Sequence, residues 1–312
     1  MAENSKLAEI YEKRFESNMA RALRNTRLQT DGSKVARVKE ISEDLVKRLF
    51  KREICAIHIP GYCDSKLAAK AACLVLKDSK VTSWYLGKGR SRVKTDMSYS
   101  IGIPVQHTAI SKQALKKYQK ESLHWIRKVR DVFAPELSPL DRLRLELDEV
   151  WPYGANVSPF LKKKGFVGLF RVMRPEDLYP GIAGKMGICH IDESIQNMQF
   201  SSNIYLDVPQ KGGELSIWNT SLNSHTSRSQ LYKLLDYAFD PEIQEIIHDR
   251  LGKPFIIKPR PGDLVILDSS RPHAVAGFSR GTRISIQSFL APLRNKDKSF
   301  PKGGLSNILM YS

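Results

Sequence analysis

Eight short segments rich in apolar and β-branched residues follow Trp151, and turn-forming residues separate them. They lie at 166–173, 185–191, 201–208, 213–218, 254–258, 263–268, 273–277 and 282–291. Segments of this length are typical of β-strands, and eight of them at such close spacing favour a sandwich, barrel or jelly roll. One interruption, at about 228–251, contains Asp240-Pro241 and ends at Gly252, which predicts a helical insertion between strands.

The first half of the chain has a different pattern, because residues with high helix propensity dominate it. We expect helices at about 3–28, 36–50, 64–76, 111–133 and 138–149, and a strand at 54–59 that Pro60-Gly61 ends. The sequence therefore predicts a mostly helical N-terminal region, residues 1–150, that packs on a β core. The core is expected at 151–293 and a C-terminal tail at 294–312.

Composition excludes several classes of protein. The four cysteines form no CxxC pair, which argues against a zinc finger or a disulfide framework and favours a reducing compartment. The charged start and the lack of any apolar run of about 18 residues predict a cytoplasmic protein with no membrane segment. The net charge of +17 suits an anionic substrate or nucleic acid. Since no helix-turn-helix, finger or RNP-like pattern accompanies it, a solvated basic surface is favoured over nucleic acid as the main partner.

The informative residues begin with His190-Ile191-Asp192. On an extended segment, His190 and Asp192 point to the same face, so that both can bind one metal ion. His273 follows Asp192 by 81 positions (273 − 192) and comes after the apolar segment 264–267. Two histidines and one carboxylate on one face leave other coordination positions open, as in the facial triad of non-haem Fe(II) oxygenases. We therefore predict that His190, Asp192 and His273 are the catalytic metal ligands.

Arg283 lies ten positions beyond His273, on a strand expected to run back beside it. A guanidinium at this place can hold a carboxylate through two hydrogen bonds, which Lys does less well. Ser285 faces the same side, and the pair predicts a clamp for the distal carboxylate of 2-oxoglutarate. The His-x-Asp motif alone is common by chance, whereas the combination with His273 and Arg283 is specific.

With these motifs the sequence resembles the Fe(II)/2-oxoglutarate-dependent oxygenase superfamily over about 150–292. Within it, the chain is most similar to the small-molecule branch that contains carrier-independent indole-alkaloid halogenases and stand-alone amino-acid hydroxylases. The shared layout comprises Arg171, Gly212-Gly213-Glu214-Leu215, a helical insertion, Pro261-Gly262-Asp263 and the distal histidine. The resemblance implies an α+β fold with a mainly β core, namely a double-stranded β-helix (a jelly-roll or cupin-like barrel). It also implies Fe(II), 2-oxoglutarate and O2 as cofactor and co-substrates.

One residue decides the reaction that the resemblance implies. Halogenases of this type have a small residue in place of the carboxylate ligand, whereas this chain has Asp192. Hydroxylation of an aliphatic C–H bond is therefore preferred, with release of succinate and CO2. We expect a small-molecule substrate, such as an amino acid derivative or a specialised metabolite, with an anionic group to suit the basic charge. Two alternatives remain: an oxygenase that hydroxylates protein or demethylates nucleic acid, and a barrel whose metal is only structural.

Further residues have two readings each. Arg171, predicted to face the barrel interior, is either a buried ion-pair residue or a ligand for co-substrate or substrate. Trp218 is a core residue or a substrate platform, with the core favoured. Glu193 and Asn203 either orient the ligands and substrate or are solvated. The segments 87–95 and 228–251 are candidate lids, although a flexible loop is favoured for the first and packing alone would explain the second.

Overall fold

The computed structural model describes residues 29–77, 82–86, 93–109, 111–160, 163–175, 187–192, 198–221, 241–294 and 305–312. The α-helices within these residues are α1 (Glu43–Phe50), α2 (Ser65–Leu76), α3 (Lys112–Phe133), α4 (Pro139–Val150) and α5 (Pro241–Leu251), and a 3-10 helix spans Val105–Ala109. Three of them begin at the residues that the sequence indicates. Asp64, Ser111 and Ser138 each accept a hydrogen bond from a backbone N–H of the first turn.

The strands are short, and many of them match the predicted segments closely. In chain order they are β1 (Gln29–Thr30), β2 (Lys34–Arg37), β3 (Ile54–Ile59), β4 (Thr82–Leu86), β5 (Val93–Ile101), β6 (Ala155–Val157), β7 (Pro159–Phe160), β8 (Lys163–Lys164), β9 (Leu169–Met173), β10 (Phe200–Asp207), β11 (Leu215–Ile217), β12 (Thr220–Ser221), β13 (Phe255–Ile257), β14 (Leu264–Asp268), β15 (His273–Val275), β16 (Arg283–Arg294) and β17 (Leu305–Tyr311).

The larger sheet has the order β2-β3-β14-β10-β16-β9-β5-β4, and β17 pairs with the far half of β16. Its central strands β14, β10, β16 and β9 are antiparallel to their neighbours. Residues directly opposite each other in such a sheet share a face. Arg171, Ser285 and Tyr205 are opposite one another, so their side chains lie on one face of this sheet.

The smaller sheet has the order β13-β11-β15, and a bridge between His190 and His273 adds the segment that carries His190. A buried apolar cluster joins the two sheets; its members are Cys55, Ala56, Tyr205, Leu215, Ile217, Ile257, Val265 and Leu267. The four central strands of the larger sheet and the four segments of the smaller sheet therefore enclose the interior of a barrel. This arrangement confirms the predicted α+β class and the double-stranded β-helix.

Helices α1 to α4 pack against the outside of the larger sheet through a second, larger core. Leu49, Ala68, Phe133 and Leu143 are buried there with strand residues such as Phe170. Burial of these side chains is the main driving force for docking the N-terminal helices.

Two elements differ from the prediction. The helix expected at 36–50 is confined to α1, and Lys34–Arg37 forms β2, a parallel partner of β3. Residues of the expected C-terminal tail form β17, which extends the larger sheet. Both strands depend on pairing with residues far away in sequence, which local propensity does not encode. The division of the chain at residues 150 and 293 remains a prediction, and the helix expected at 3–28 lies outside the described residues.

Among the described residues, no helix is both long and apolar enough to cross a membrane.

Candidate metal and co-substrate site

Backbone pairing brings the predicted metal ligands together at the edge of the smaller sheet. The N–H of His190 donates to the carbonyl of His273 at 2.9 Å, and the N–H of His273 donates back to His190 at 2.9 Å. The N–H of Asp192 donates to the Ser269 carbonyl at 2.9 Å. The two imidazole rings consequently stand side by side, with centroids 4.3 Å apart.

The ligand atoms of His190, Asp192 and His273 all lie within 4.8 Å of one another. Each imidazole Nδ1 is 2.9 Å from a backbone carbonyl two residues earlier, that of Ile188 for His190 and that of Arg271 for His273. Because a carbonyl can only accept, Nδ1 of each ring carries a hydrogen, which leaves Nε2 as the nitrogen that can bind a metal ion. Such a bond from the second ring nitrogen is the usual orienting contact of a metal-binding histidine.

The residues present fit a divalent iron ion. The Oδ2 atom of Asp192 is buried and has no hydrogen-bond partner among the described residues, a costly arrangement unless a cation binds there. Burial, together with the neighbouring His273, lowers the pKa of His190 to about 4, so that this ring is neutral at physiological pH. Two imidazole nitrogens and one carboxylate are the donor set of the Fe(II) facial triad.

Helix α5 braces the strand segment that carries His190. The Gln244 amide accepts from the N–H of Cys189 at 2.9 Å and donates to its carbonyl at 3.3 Å. One turn later, Nε2 of His248 lies 3.2 Å from the Gly187 carbonyl. The described part of the predicted insertion therefore supports the segment that carries His190.

A buried ion-pair network holds the turn between β14 and β15. The carboxylate of Asp268 lies 3.3 Å from the guanidinium groups of both Arg52 and Arg271. Arg271 also pairs with Asp31 at 2.7 Å. This turn supplies the carbonyl groups of Ser269 and Arg271 that hold Asp192 and His273. Sequence reasoning did not identify this network, because its members lie far apart in the chain.

Arg283 lies at the start of β16 and is buried on the interior face of the larger sheet. Its Nη2 donates to the Tyr205 hydroxyl at 3.0 Å, its Nε donates to the Gly213 carbonyl at 3.3 Å, and its guanidinium lies 4.9 Å from the centre of the Tyr205 ring. These contacts fix the plane of the guanidinium, as a carboxylate clamp requires. The sequence did not predict a role for Tyr205. The alternation of side chains along β10 places Tyr205 on the same face as Asn203, but it does not reveal the contact with Arg283.

The other predicted site residues differ in their positions. The Ser285 hydroxyl donates to the Asn203 carbonyl oxygen at 3.4 Å, and Nη1 of Arg171 donates to the Gln287 carbonyl oxygen at 2.9 Å. Thus Arg171, Asn203 and Ser285 share the interior face with Arg283. Trp218 has no exposed surface and donates to the Gly252 carbonyl at 2.8 Å, as expected of a core residue. Glu193 and residues 87–92 and 222–240 lie outside the described residues.

Comparison with known families supports the interpretation of this geometry. Residues 182–291, which contain His190, Asp192, His273 and Arg283, match the model of the 2OG-Fe(II) oxygenase superfamily. The chain thus contains a stretch, residues 182–291, that matches this superfamily. It is therefore a 2-oxoglutarate-dependent dioxygenase, and Fe(II), 2-oxoglutarate and O2 are its cofactor and co-substrates. These parts of the sequence-based prediction are confirmed, whereas the branch within the superfamily and the roles of individual residues remain predictions.

The oxygenase is also similar to solved structures at low sequence identity. An N-substituted L-amino acid dioxygenase from Burkholderia ambifaria AMMD has a TM-score of 0.49 and 14% identity, over 86% of this chain and 91% of that chain. A prolyl-4-hydroxylase from Pseudomonas putida has a TM-score of 0.38 and 15% identity, over 78% of this chain and 95% of that chain. No curated protein sequence matches this chain. The assignment rests on the family model and on the observed barrel.

Proposed function

We propose that this oxygenase hydroxylates an aliphatic C–H bond of a small molecule, such as an amino acid derivative or a specialised metabolite. One atom of O2 enters the substrate as a hydroxyl group, the other enters succinate, and CO2 leaves. The observation that carries the proposal is the carboxylate of Asp192 beside the two histidines. A carboxylate at this position takes the place that a halide needs, so the site favours hydroxylation over halogenation.

The chain's own residues would divide the work. His190, Asp192 and His273 hold Fe(II), whose chemistry when bound is the activation of O2 for C–H oxidation at the expense of 2-oxoglutarate. Arg283 binds the distal carboxylate of 2-oxoglutarate, and Ser285 adds a hydroxyl on the same face. The apolar cluster that joins the two sheets excludes water from that part of the barrel interior.

The test is an anaerobic titration of the purified protein with Fe(II) and 2-oxoglutarate. We expect the weak visible metal-to-ligand charge-transfer band to appear. After O2 is admitted, succinate should form, and it should form faster with one compound of a metabolite panel. Absence of both the band and succinate, with bound iron confirmed, would contradict the proposal.

In Asp192→Gly we expect hydroxylation to be lost and chloride to gain access to the metal. Unchanged hydroxylation would show that Asp192 is not a ligand.

A second candidate function, oxidation of a nucleic acid, is favoured by one observation. Helix α3 exposes Lys116, Lys117, Lys120 and Arg127 along one side, and none of them forms an ion pair within the described part of the chain. Such a stripe suits a phosphate backbone. Binding of DNA or RNA that weakens steeply between low and physiological salt, together with nucleic-acid-stimulated succinate formation, would support it. Binding without stimulation would leave the small-molecule proposal in place.

A further inference from the structure

Residues 29–37, which we call the strap, connect strands that belong to different parts of the barrel. At one end β1 pairs with β12, which follows β11 of the smaller sheet in the chain, and at the other end β2 lies beside β3 in the larger sheet. Between them, the N–H of Asp31 donates to the Asn219 carbonyl at 3.1 Å, and the Asp31 carboxylate accepts from the N–H of Ser33 at 3.1 Å. Asp31 is therefore held where the strap crosses from one sheet to the other.

At this crossing the strap contacts the turn between β14 and β15. Oδ2 of Asp31 lies 2.7 Å from Nη2 of Arg271, whose side chain is only 2% exposed. Two further contacts of this guanidinium are longer, 3.3 Å to the Asp268 carboxylate and 3.3 Å to the Arg52 carbonyl. Asp31 therefore makes the closest of these three contacts and fixes where the buried guanidinium lies.

The charges of the network depend on Asp31. In the described network Arg52 and Arg271 are cations and Asp268 and Asp31 are anions, so the four formal charges cancel. Burial acts to raise the pKa of Asp31, but hydrogen bonds from Arg271 and Ser33 outweigh it and keep the carboxylate ionised at neutral pH. Without this carboxylate, two guanidinium groups would share Asp268. Removal of one partner of a buried ion pair is strongly unfavourable, which favours a rearrangement of the turn.

The main chain of the same arginine orients a proposed metal ligand. The Arg271 carbonyl accepts from Nδ1 of His273 at 2.9 Å, and the next carbonyl, that of Pro272, accepts from the N–H of Trp218 at 3.0 Å. Pairing with His190 fixes the main chain of His273, whereas the direction of the imidazole ring depends on the Arg271 carbonyl. A displacement of Arg271 therefore changes the direction in which Nε2 of His273 points.

We propose that Asp31 is a positioning residue of the metal site, which acts through Arg271 on His273, and that the strap and the metal ion stabilise each other. This inference rests on the proposed function, since it concerns the iron on which that function depends. Asp31 touches neither the metal ligands nor the co-substrate clamp. Because coupling between two binding equilibria is reciprocal, a strap that strengthens metal binding is itself held more firmly when the metal is bound.

The first experiment measures the Kd for Fe(II) alone by anaerobic titration. Asp31→Asn has nearly the same shape as the native residue but lacks its charge, and we expect the Kd to rise by roughly 10-fold, as when an outer contact of a metal ligand is removed. With Fe(II) saturating, the KM for 2-oxoglutarate should not change, because Arg283 keeps its contacts. Asp31→Glu retains the carboxylate and should recover most of the affinity.

The matched control is Asp141→Asn, which also removes a carboxylate from an arginine. Asp141 lies on α4 and accepts from Nε of Arg130 at 2.8 Å and from the Ser138 hydroxyl at 2.8 Å. This pair lies among the outer helices, apart from the turn that holds His273. We expect Asp141→Asn to lower the thermal unfolding temperature and to leave the Kd for Fe(II) unchanged.

The second experiment uses the native protein and needs no variant to fold. Hydrogen exchange is followed anaerobically at the amides of Asp31 and Ser33, both of which donate hydrogen bonds within or from the strap. Addition of Fe(II) should slow exchange at these two amides more than at the amides of α4. Asp31→Asn should lose this difference, and Asp141→Asn should retain it.

The outcomes separate the inference from the proposed function. If the native protein binds no Fe(II), both fail. If the native protein binds Fe(II) and forms the charge-transfer band with 2-oxoglutarate, but folded Asp31→Asn binds Fe(II) equally well, only the inference is overturned. An equal loss of affinity in Asp141→Asn, or in Asp31→Glu, would contradict it as well. Exchange in the strap that does not respond to Fe(II) would rule out the coupling.

Discussion

The two sheets of the barrel bring functional side chains into the site by different means. In the smaller sheet, backbone groups do most of the positioning: His190, Asp192 and His273 are held by N–H and carbonyl groups of each other and of the adjoining turn. In the larger sheet, side chains position side chains: Tyr205 holds Arg283 and Gln287 holds Arg171. The proposed metal ligands thus depend on the course of the chain, whereas the arginines of the proposed co-substrate site depend on the identity of their neighbours.

This difference indicates which part of the site can vary at low cost. A backbone contact survives most substitutions of the residue that makes it, so the metal site tolerates change around it but not at the ligands. A side-chain contact is lost when either partner changes, so a single substitution on β9, β10 or β16 alters what the barrel binds. The four predictions below test this contrast.

The largest effect is expected from His273→Ala. This substitution removes a metal ligand but leaves the backbone bonds to His190 intact, so iron binding and turnover should be lost while the fold persists. Iron content, succinate formation and circular dichroism measure the three properties. His124→Ala, an exposed histidine on α3, is the matched control and should behave as the native protein. Full activity of His273→Ala would refute the ligand assignment.

Arg283→Lys should have the next largest effect. We expect it to change the binding of 2-oxoglutarate and not the binding of iron. Lysine keeps the charge but lacks the planar group that Tyr205 and Gly213 orient, so the KM for 2-oxoglutarate should rise by roughly 100-fold with iron binding unchanged. Tyr205→Phe should raise KM in the same direction by roughly 10-fold. Steady-state kinetics with varied 2-oxoglutarate check both. Equal KM values in Arg283→Lys and the native protein would remove Arg283 from the clamp.

The same contrast explains how far sequence reasoning reaches. The metal ligands could be proposed because His-x-Asp on one strand is a local pattern, and the strands were predicted because turn residues such as Pro261-Gly262 mark their ends. Arg283 could be proposed as a co-substrate ligand because its strand follows directly after His273. These features need only the period of a strand and the order of residues along the chain.

What sequence reasoning missed depends on register and on distant partners. Tyr205 reaches Arg283, and Gln287 reaches Arg171, only because β10, β16 and β9 pair in one particular register. A shift by one residue would turn every side chain to the other face, and no local signal specifies the pairing. β2 and β17 were missed for the same reason, since each is a short segment whose partner strand lies elsewhere.

Asp268→Asn tests a place where the proposed metal site depends on side chains. Asp268 is buried between Arg52 and Arg271, so the substitution leaves two guanidinium groups without their shared anion and should cost about 3 kcal/mol of unfolding free energy. Because the turn holds Asp192 and His273, Fe(II) affinity should fall by roughly 10-fold. Urea unfolding and metal titration measure the two effects. Asp44→Asn, at an exposed pair with Arg48, is the control and should change stability by less than about 0.5 kcal/mol.

The smallest effect concerns Asp263, which accepts hydrogen bonds from His58, Gly61 and Arg260 at the edge of the barrel. Burial acts to raise the pKa of Asp263, but these hydrogen bonds outweigh it, so the folded-state pKa lies below the unfolded value of about 3.9. The ionised carboxylate therefore stabilises the fold above pH 4, and this contribution is lost as the pH falls through the folded-state pKa. Asp263→Asn should be less stable than the native protein by about 1–2 kcal/mol at pH 7. Urea unfolding at several pH values should show this gap closing below pH 4. A gap that stays constant with pH would mean that Asp263 supports the turn by its shape alone.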